Sequence, residues 1–91
     1  MRVDYSPRSL RHLQTIHDHI AQDSPAAAVR TLTRIRGAIE RLAVLPLSGS
    51  AARLGTRVLA VPGLPYVAVH VVERDRVRIL GIFHTARNRR V

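Results

Sequence analysis

The chain has no cysteine, no tryptophan and no lysine, and only two tyrosines and one phenylalanine in 91 residues. Without cysteine there is no disulfide framework and no thiolate for catalysis or metal binding. That suits a reducing compartment, and a cytoplasmic protein is expected. The aromatics Tyr5, Tyr66 and Phe83 are too few to interleave with basic residues as they do in RNA-binding sheets. A nucleic-acid-binding module would therefore rest on charge alone, and direct nucleic-acid binding is not favoured. No apolar stretch approaches the roughly 20 residues of a membrane span, and the N-terminus lacks the apolar run of a signal peptide. No membrane association is expected.

Acidic residues are also scarce. Six Asp plus Glu stand against fifteen basic residues, all of them arginine, for a net charge of +9. Such an excess favours polyanions and acidic proteins as partners. A GC-rich coding bias would give arginine without selection. Even so, guanidinium pairs bidentately with carboxylate and phosphate, which lysine does not do.

What remains is ample for a fold. Hydrophobic residues make up 46% of the chain, and 91 residues form one domain spanning 1–91. Chains of this length bury only about 60–65% of their unfolded surface, so a modest core is expected.

Residues 2–5 form a short possible strand. Ser6-Pro7 reads as an N-cap followed by proline at the first helical position. Leu10, Leu13, Ile16 and Ile20 follow at helical spacing, and the helix should stop near Gln22. Ser24-Pro25 repeats the start signal, with Val29, Leu32, Ile35, Ile39 and Leu42 on one face and Arg30, Arg34 and Arg41 on another. Pro46 ends this helix, because a residue before proline avoids the α region. So short a linker predicts a helical hairpin. Gly37 inside the second helix fits close helix contact, with a notch for a partner helix as the alternative.

Residues 47–54 read as a loop, followed by strands at 57–61, 66–72 and 77–83. Pro62-Gly63 and the polar stretch 73–76 supply the turns. The last two strands are apolar on both parities except His70 and Arg78, so they should be central. The strand 57–61 is expected at the edge, its charge discouraging further pairing. The order β-α-α-β-β-β predicts an α+β fold, a helical hairpin packed on a mostly antiparallel four-stranded sheet.

Several segments in this order resemble the ParE/RelE superfamily of toxins from type II toxin–antitoxin modules. They are Pro25-Ala26-Ala27-Ala28, Leu42-Ala43-Val44-Leu45-Pro46, Gly55-Thr56-Arg57-Val58-Leu59, Pro65-Tyr66, and the run from Ile79 through His84 to Arg87. The set spans nearly the whole chain and is most similar to the ParE-like branch. The resemblance implies a toxin neutralised by a cognate antitoxin with an acidic or amphipathic C-terminal segment. ParE-like members are regarded as inhibitors of DNA gyrase, whereas RelE-like members cleave mRNA on the ribosome.

Cleavage at a 2′-hydroxyl needs a base, cations for the phosphate and an acid for the leaving oxygen. The resemblance puts lysines of the nuclease branch at Val58 and Ala60, an arginine at Val67, and a later arginine at Arg87, which alone is kept. It also implies a tail tyrosine, which the sequence to Val91 does not contain. His84 is the weak catalytic candidate, with Arg87 as phosphate clamp, and no second titratable partner for it is legible in the sequence. His70 sits where relatives often carry a tyrosine and reads as a packed or edge residue.

The expectation is therefore a non-catalytic gyrase inhibitor without cofactor, the ribosome-dependent endoribonuclease being the alternative. Target-binding candidates are Arg57, Arg87, Arg89 and Arg90. Antitoxin-binding candidates are Arg30, Arg34 and Arg41. No metal site is expected. His17 and His19 diverge on a helix, and His12 and His19 lie about 10 Å apart along its axis.

Overall fold

The computed structural model of the chain describes residues 1–86. The elements are β1 (Arg2–Tyr5), α1 (Pro7–Ala21), α2 (Pro25–Glu40), a 3₁₀ turn (Arg41–Ala43), β2 (Ser50–Ala51), a second 3₁₀ turn (Arg53–Gly55), β3 (Arg57–Ala60), β4 (Tyr66–Val72) and β5 (Arg76–His84). Both helices start as their sequences dictate. Ser6 Oγ accepts from the Ser9 amide and Ser24 Oγ from the Ala27 amide, each at 3.1 Å, with a proline following each cap. These caps satisfy amides that have no partner inside the helix.

The helices fold back on one another and cover one face of the sheet, giving the two-layer α+β arrangement. The sheet has five strands, not four, in the order β1-β5-β4-β3-β2. β1 pairs with β5 in parallel; every other pair is antiparallel. β4 and β5 are central, as their two-sided apolar pattern requires. The strand at 57–61 is not an edge: β2 forms within the stretch read as loop and pairs Ser50 with Val58 and Ala51 with Arg57. A two-residue strand carries too little periodicity to be read from sequence.

The core joins Leu13, Ile35, Ile39 and Leu42 from the helical layer to Ala68, Val77, Ile79 and Ile82 of the sheet. Two residues placed on apolar helix faces lie outside it: Val29 is 60% exposed and Leu10 is 47% exposed. Ala28 and Ser9, both fully buried, take the inward positions instead. Ala28 is two turns before Ile35 and Ser9 one turn before Leu13, and their small side chains allow close approach of the layers. The second helix also ends its α-helical part at Glu40, short of Pro46.

Opposite β4, Val69 pairs with Gly81 and His70 with Ile79, so Leu80 is the extra residue of a β-bulge. By strand alternation Tyr66, Ala68 and His70 face the helices, while Val67, Val69 and Val71 share the open face with Val58, Ala60 and Arg78.

Candidate functional site

β1 pairs with β5 from Arg76 to Ile79, and among the described residues no strand pairs with the second half of β5 on that side. The first turns of α1 fill the gap. The Ser6 amide donates to the Ile79 carbonyl at 3.0 Å, Ser6 Oγ donates to the Leu80 carbonyl at 3.3 Å, and the Ile82 amide donates to His12 Nδ1 at 3.1 Å. An accepting Nδ1 fixes the neutral imidazole with its proton on Nε2. Burial, with Arg8 and Arg11 nearby, pushes the His12 pKa down and keeps that form.

A cleft opens where α1 meets the ends of β4 and β5, lined among others by Arg8, His12, Tyr66, Phe83 and His84. His12 meets the Phe83 ring edge-on at 5.1 Å, and the Arg8 guanidinium lies 5.6 Å from the Phe83 centroid. Gly81 makes room for this packing. A Cβ there would come within 2.8 Å of the Phe83 ring and 3.2 Å of His12 Cε1. The Tyr66 and His84 rings, paired across the strands, stand perpendicular with centroids 5.3 Å apart. His84 Nδ1 accepts from the Ala86 amide at 3.2 Å.

His84 therefore has titratable companions that the sequence did not reveal. His12 and Arg8 come from the first helix and reach the cleft only because α1 closes the β5 edge. Both imidazoles use Nδ1 as an acceptor for a backbone amide. No carboxylate lines the cleft among the described residues. The group can donate hydrogen bonds and stack on planar or acidic surfaces.

The other candidates are scattered. Arg57 turns inward: its Nη2 donates to the Leu47 and Gly49 carbonyls at 2.7 and 3.1 Å, clasping the loop after the second helix. Beside it His70 is fully buried, its Nε2 paired with the Pro46 carbonyl. Arg87, Arg89 and Arg90 lie outside the described residues.

Arg34 and Arg41 line one groove with Gly37, Ala38, Val61 and Pro62, and Arg30 is exposed one turn before Arg34. Arg34 Nη2 donates to the Pro62 carbonyl at 2.7 Å. Among the described residues a Cβ at Gly37 would meet nothing within 4 Å, so the close helix contact expected there is not made by them and Gly37 opens onto the groove.

On the open face the edge arginines are engaged. Arg76 pairs with Glu73 at 2.6 Å and Asp4 at 3.0 Å, and Arg2 pairs with Asp4 at 3.2 Å. The hydrogen bond from Arg76, reinforced by Arg2, holds the Asp4 carboxyl below the usual range. Among the described residues no group of three histidine or acidic side chains could hold a metal ion, and no helix is long and apolar enough to cross a membrane.

Comparison with known proteins agrees with this architecture. The family model for the ParE toxin of the type II toxin–antitoxin system parDE matches residues 3–89. The protein Y4kP of Sinorhizobium fredii is 38% identical over 84 residues, covering 91% of this chain and 86% of that one. Toxin RelE2 of Caulobacter vibrioides is 38% identical over 86 residues, covering 94% of this chain and 97% of that one. In fold, a chain of the chromosomal ParDE system from P. aeruginosa superposes with a TM-score of 0.83 at 22% identity, over 92% of this chain and 95% of that one. A match over nearly the whole chain, with the helical hairpin and mixed sheet in place, makes this protein a member of the ParE toxin family of type II toxin–antitoxin systems.

Proposed function

We propose that this toxin acts in the cytoplasm by binding DNA gyrase through protein–protein contact, and that a cognate antitoxin neutralises it. The observation that carries the reading is a register. Val58 lies opposite Val69, Ala60 opposite Val67, and Val67 opposite Phe83. Val58, Ala60 and Val67 are the positions where the resemblance puts the cations of the nuclease branch. Here they form a row of apolar side chains. Phosphate is held by guanidinium, ammonium or backbone amides, whereas a row of valines suits the apolar centre of a protein interface. The net charge of +9 adds a reason for an acidic neutralising partner. One solved structural neighbour is itself a chain of a ParDE toxin–antitoxin system.

One observation favours a second reading. Arg8, His12, Tyr66 and His84 share a cleft, and Arg87 follows close behind in the chain. A ribosome-dependent endoribonuclease would use His84 as acid or base and Arg87 as phosphate clamp.

Purified toxin added to gyrase and relaxed plasmid separates the two, together with early mRNA integrity after induction in bacteria. The first reading expects loss of supercoiling and DNA breaks while mRNA stays intact. It also expects Arg87→Ala to reduce toxicity only in part. Prompt mRNA cleavage with supercoiling untouched, abolished by His84→Ala or Arg87→Ala, would replace it with the second.

A further inference from the structure

We propose that Leu54, at the tip of the β2–β3 hairpin, is the anchor by which the toxin holds gyrase, entering an apolar pocket of the target that is rimmed by carboxylates. This rests on the reading of the toxin as a gyrase-binding protein and deepens it by assigning the contact and the chemistry of the pocket it fills.

An exposed leucine alone is ordinary. Leu54 is 93% exposed and also sits at φ 57° and ψ 37°, in the left-handed region. No other non-glycine residue has a positive φ among the described residues. In that conformation a Cβ crowds the backbone, and glycine or asparagine adopts it more readily. Gly55, next in the chain, does so at φ 74°. Leucine at position 54 therefore strains the turn and adds nothing to the core. Local strain of this kind persists where a binding site uses the residue that suffers it.

The tip is held still. The Ala52 amide donates to the Thr56 carbonyl at 2.8 Å, and the Thr56 amide and hydroxyl both donate to the Arg53 carbonyl, at 3.1 and 2.7 Å. At the base of the hairpin Arg57 clasps the Leu47 and Gly49 carbonyls. A side chain presented on so closed a turn loses little backbone freedom on binding.

The hairpin also flanks the apolar row of the open face. Ser50 of β2 lies opposite Val58, and Val58 lies opposite Val69. A partner seated on that row therefore continues onto the hairpin. The rim gives the sign of the partner. Arg57 lies opposite His70 and Val72 opposite Val77, so the turns 52–56 and 73–75 share one end of the sheet. Arg53 and Arg74 are exposed there, and neither enters an ion pair among the described residues. The carboxylates of the second turn are engaged, Glu73 by Arg76 at 2.6 Å and Asp75 by Arg2 at 3.9 Å. An apolar pocket with an acidic rim matches a leucine between free guanidiniums. A second copy of this chain does not, because it would bring a net charge of +9 to a cationic surface.

The test measures gyrase binding and thermal unfolding side by side for the full toxin and its variants. Leu54→Asn relieves the strain and removes the anchor, whereas Leu54→Met keeps an apolar side chain on the same backbone. The inference expects Leu54→Asn to melt higher than the parent and yet to bind about tenfold or more weakly. It expects Leu54→Met to bind within about threefold of the parent, and Arg53→Glu to slow association and weaken its salt dependence. Opposite signs of stability and affinity in one variant separate an anchor from a structural residue. Gyrase binding by Leu54→Asn within about twofold of the parent overturns the anchor and leaves the gyrase reading standing. Weaker binding with a lower melting temperature overturns it too, since the residue is then structural. Unchanged association of Arg53→Glu overturns the acidic rim. Weakened binding only to the product of the adjacent gene overturns the choice of partner. A parent toxin that neither binds gyrase nor alters supercoiling overturns that reading, and the anchor with it.

Discussion

The Nε2–H of His70, in the middle of β4, donates to the carbonyl of Pro46 in the loop after the second helix at 3.1 Å. The imidazole is fully buried, and its Nδ1 has no hydrogen-bond partner among the described residues. Arg57, directly across on β3, grips the Leu47 and Gly49 carbonyls of the same loop. The sheet thus holds this loop by two polar side chains on adjacent strands.

Burial pushes the His70 pKa below its ordinary value, and Arg57 adds to the effect while the Pro46 bond opposes it. The folded state therefore favours the neutral ring. Its contribution to stability is fully present above the unfolded histidine pKa of about 6.5 and is lost as pH falls from there toward the lower folded value. His12 shifts in the same direction, so it adds to the loss. Urea midpoints should fall between about pH 8 and about pH 5, on either side of the ordinary histidine pKa of about 6.5, and the fall should be shallower in His70→Gln. An equal slope in the variant would assign the acid sensitivity elsewhere.

Gly37→Ala should stabilise the toxin by about 0.5–1 kcal/mol, because alanine is the better helix former and the site is open. Thermal unfolding measures this directly. A lower melting temperature would mean that the site is not open.

Gly81→Ala should have the opposite sign. Its Cβ would sit 2.8 Å from the Phe83 ring and close to His12, so the ring must move and the His12 contact must loosen. Overpacking of this kind destabilises by about 1–3 kcal/mol. Faster exchange of the Ile82 amide, which His12 accepts, should accompany the loss.

Ser24→Ala removes the acceptor for the Ala27 amide and should cost about 1 kcal/mol. Ser24→Asp should restore most of it, since aspartate caps as well as serine. Chemical denaturation of the three proteins side by side is sufficient.

Much of this was legible along the chain, and some of it was not, for reasons that particular residues make plain. Ser6-Pro7 and Ser24-Pro25 marked both helix starts, because a cap and its proline act on amides two or three residues away. The apolar runs of β4 and β5 marked the centre of the sheet. The stripe through Ile35, Ile39 and Leu42 was read correctly, but Val29 was added to it where Ala28 packs inward. Arg57 read as an exposed basic residue because its partners, two carbonyls in a loop, leave no trace in composition.

The sequence by itself determined where the helices begin, which strands lie at the centre and how basic the surface is. Periodicity, capping and charge act between near neighbours or sum over the chain. Tertiary structure alone decided that β1 runs parallel beside β5, that His12 finishes the edge β1 leaves open, and that Gly37 faces an unfilled groove. Each of these depends on which distant segment arrives at an unsatisfied backbone edge or an open face, and the competition among segments is settled only when the core closes.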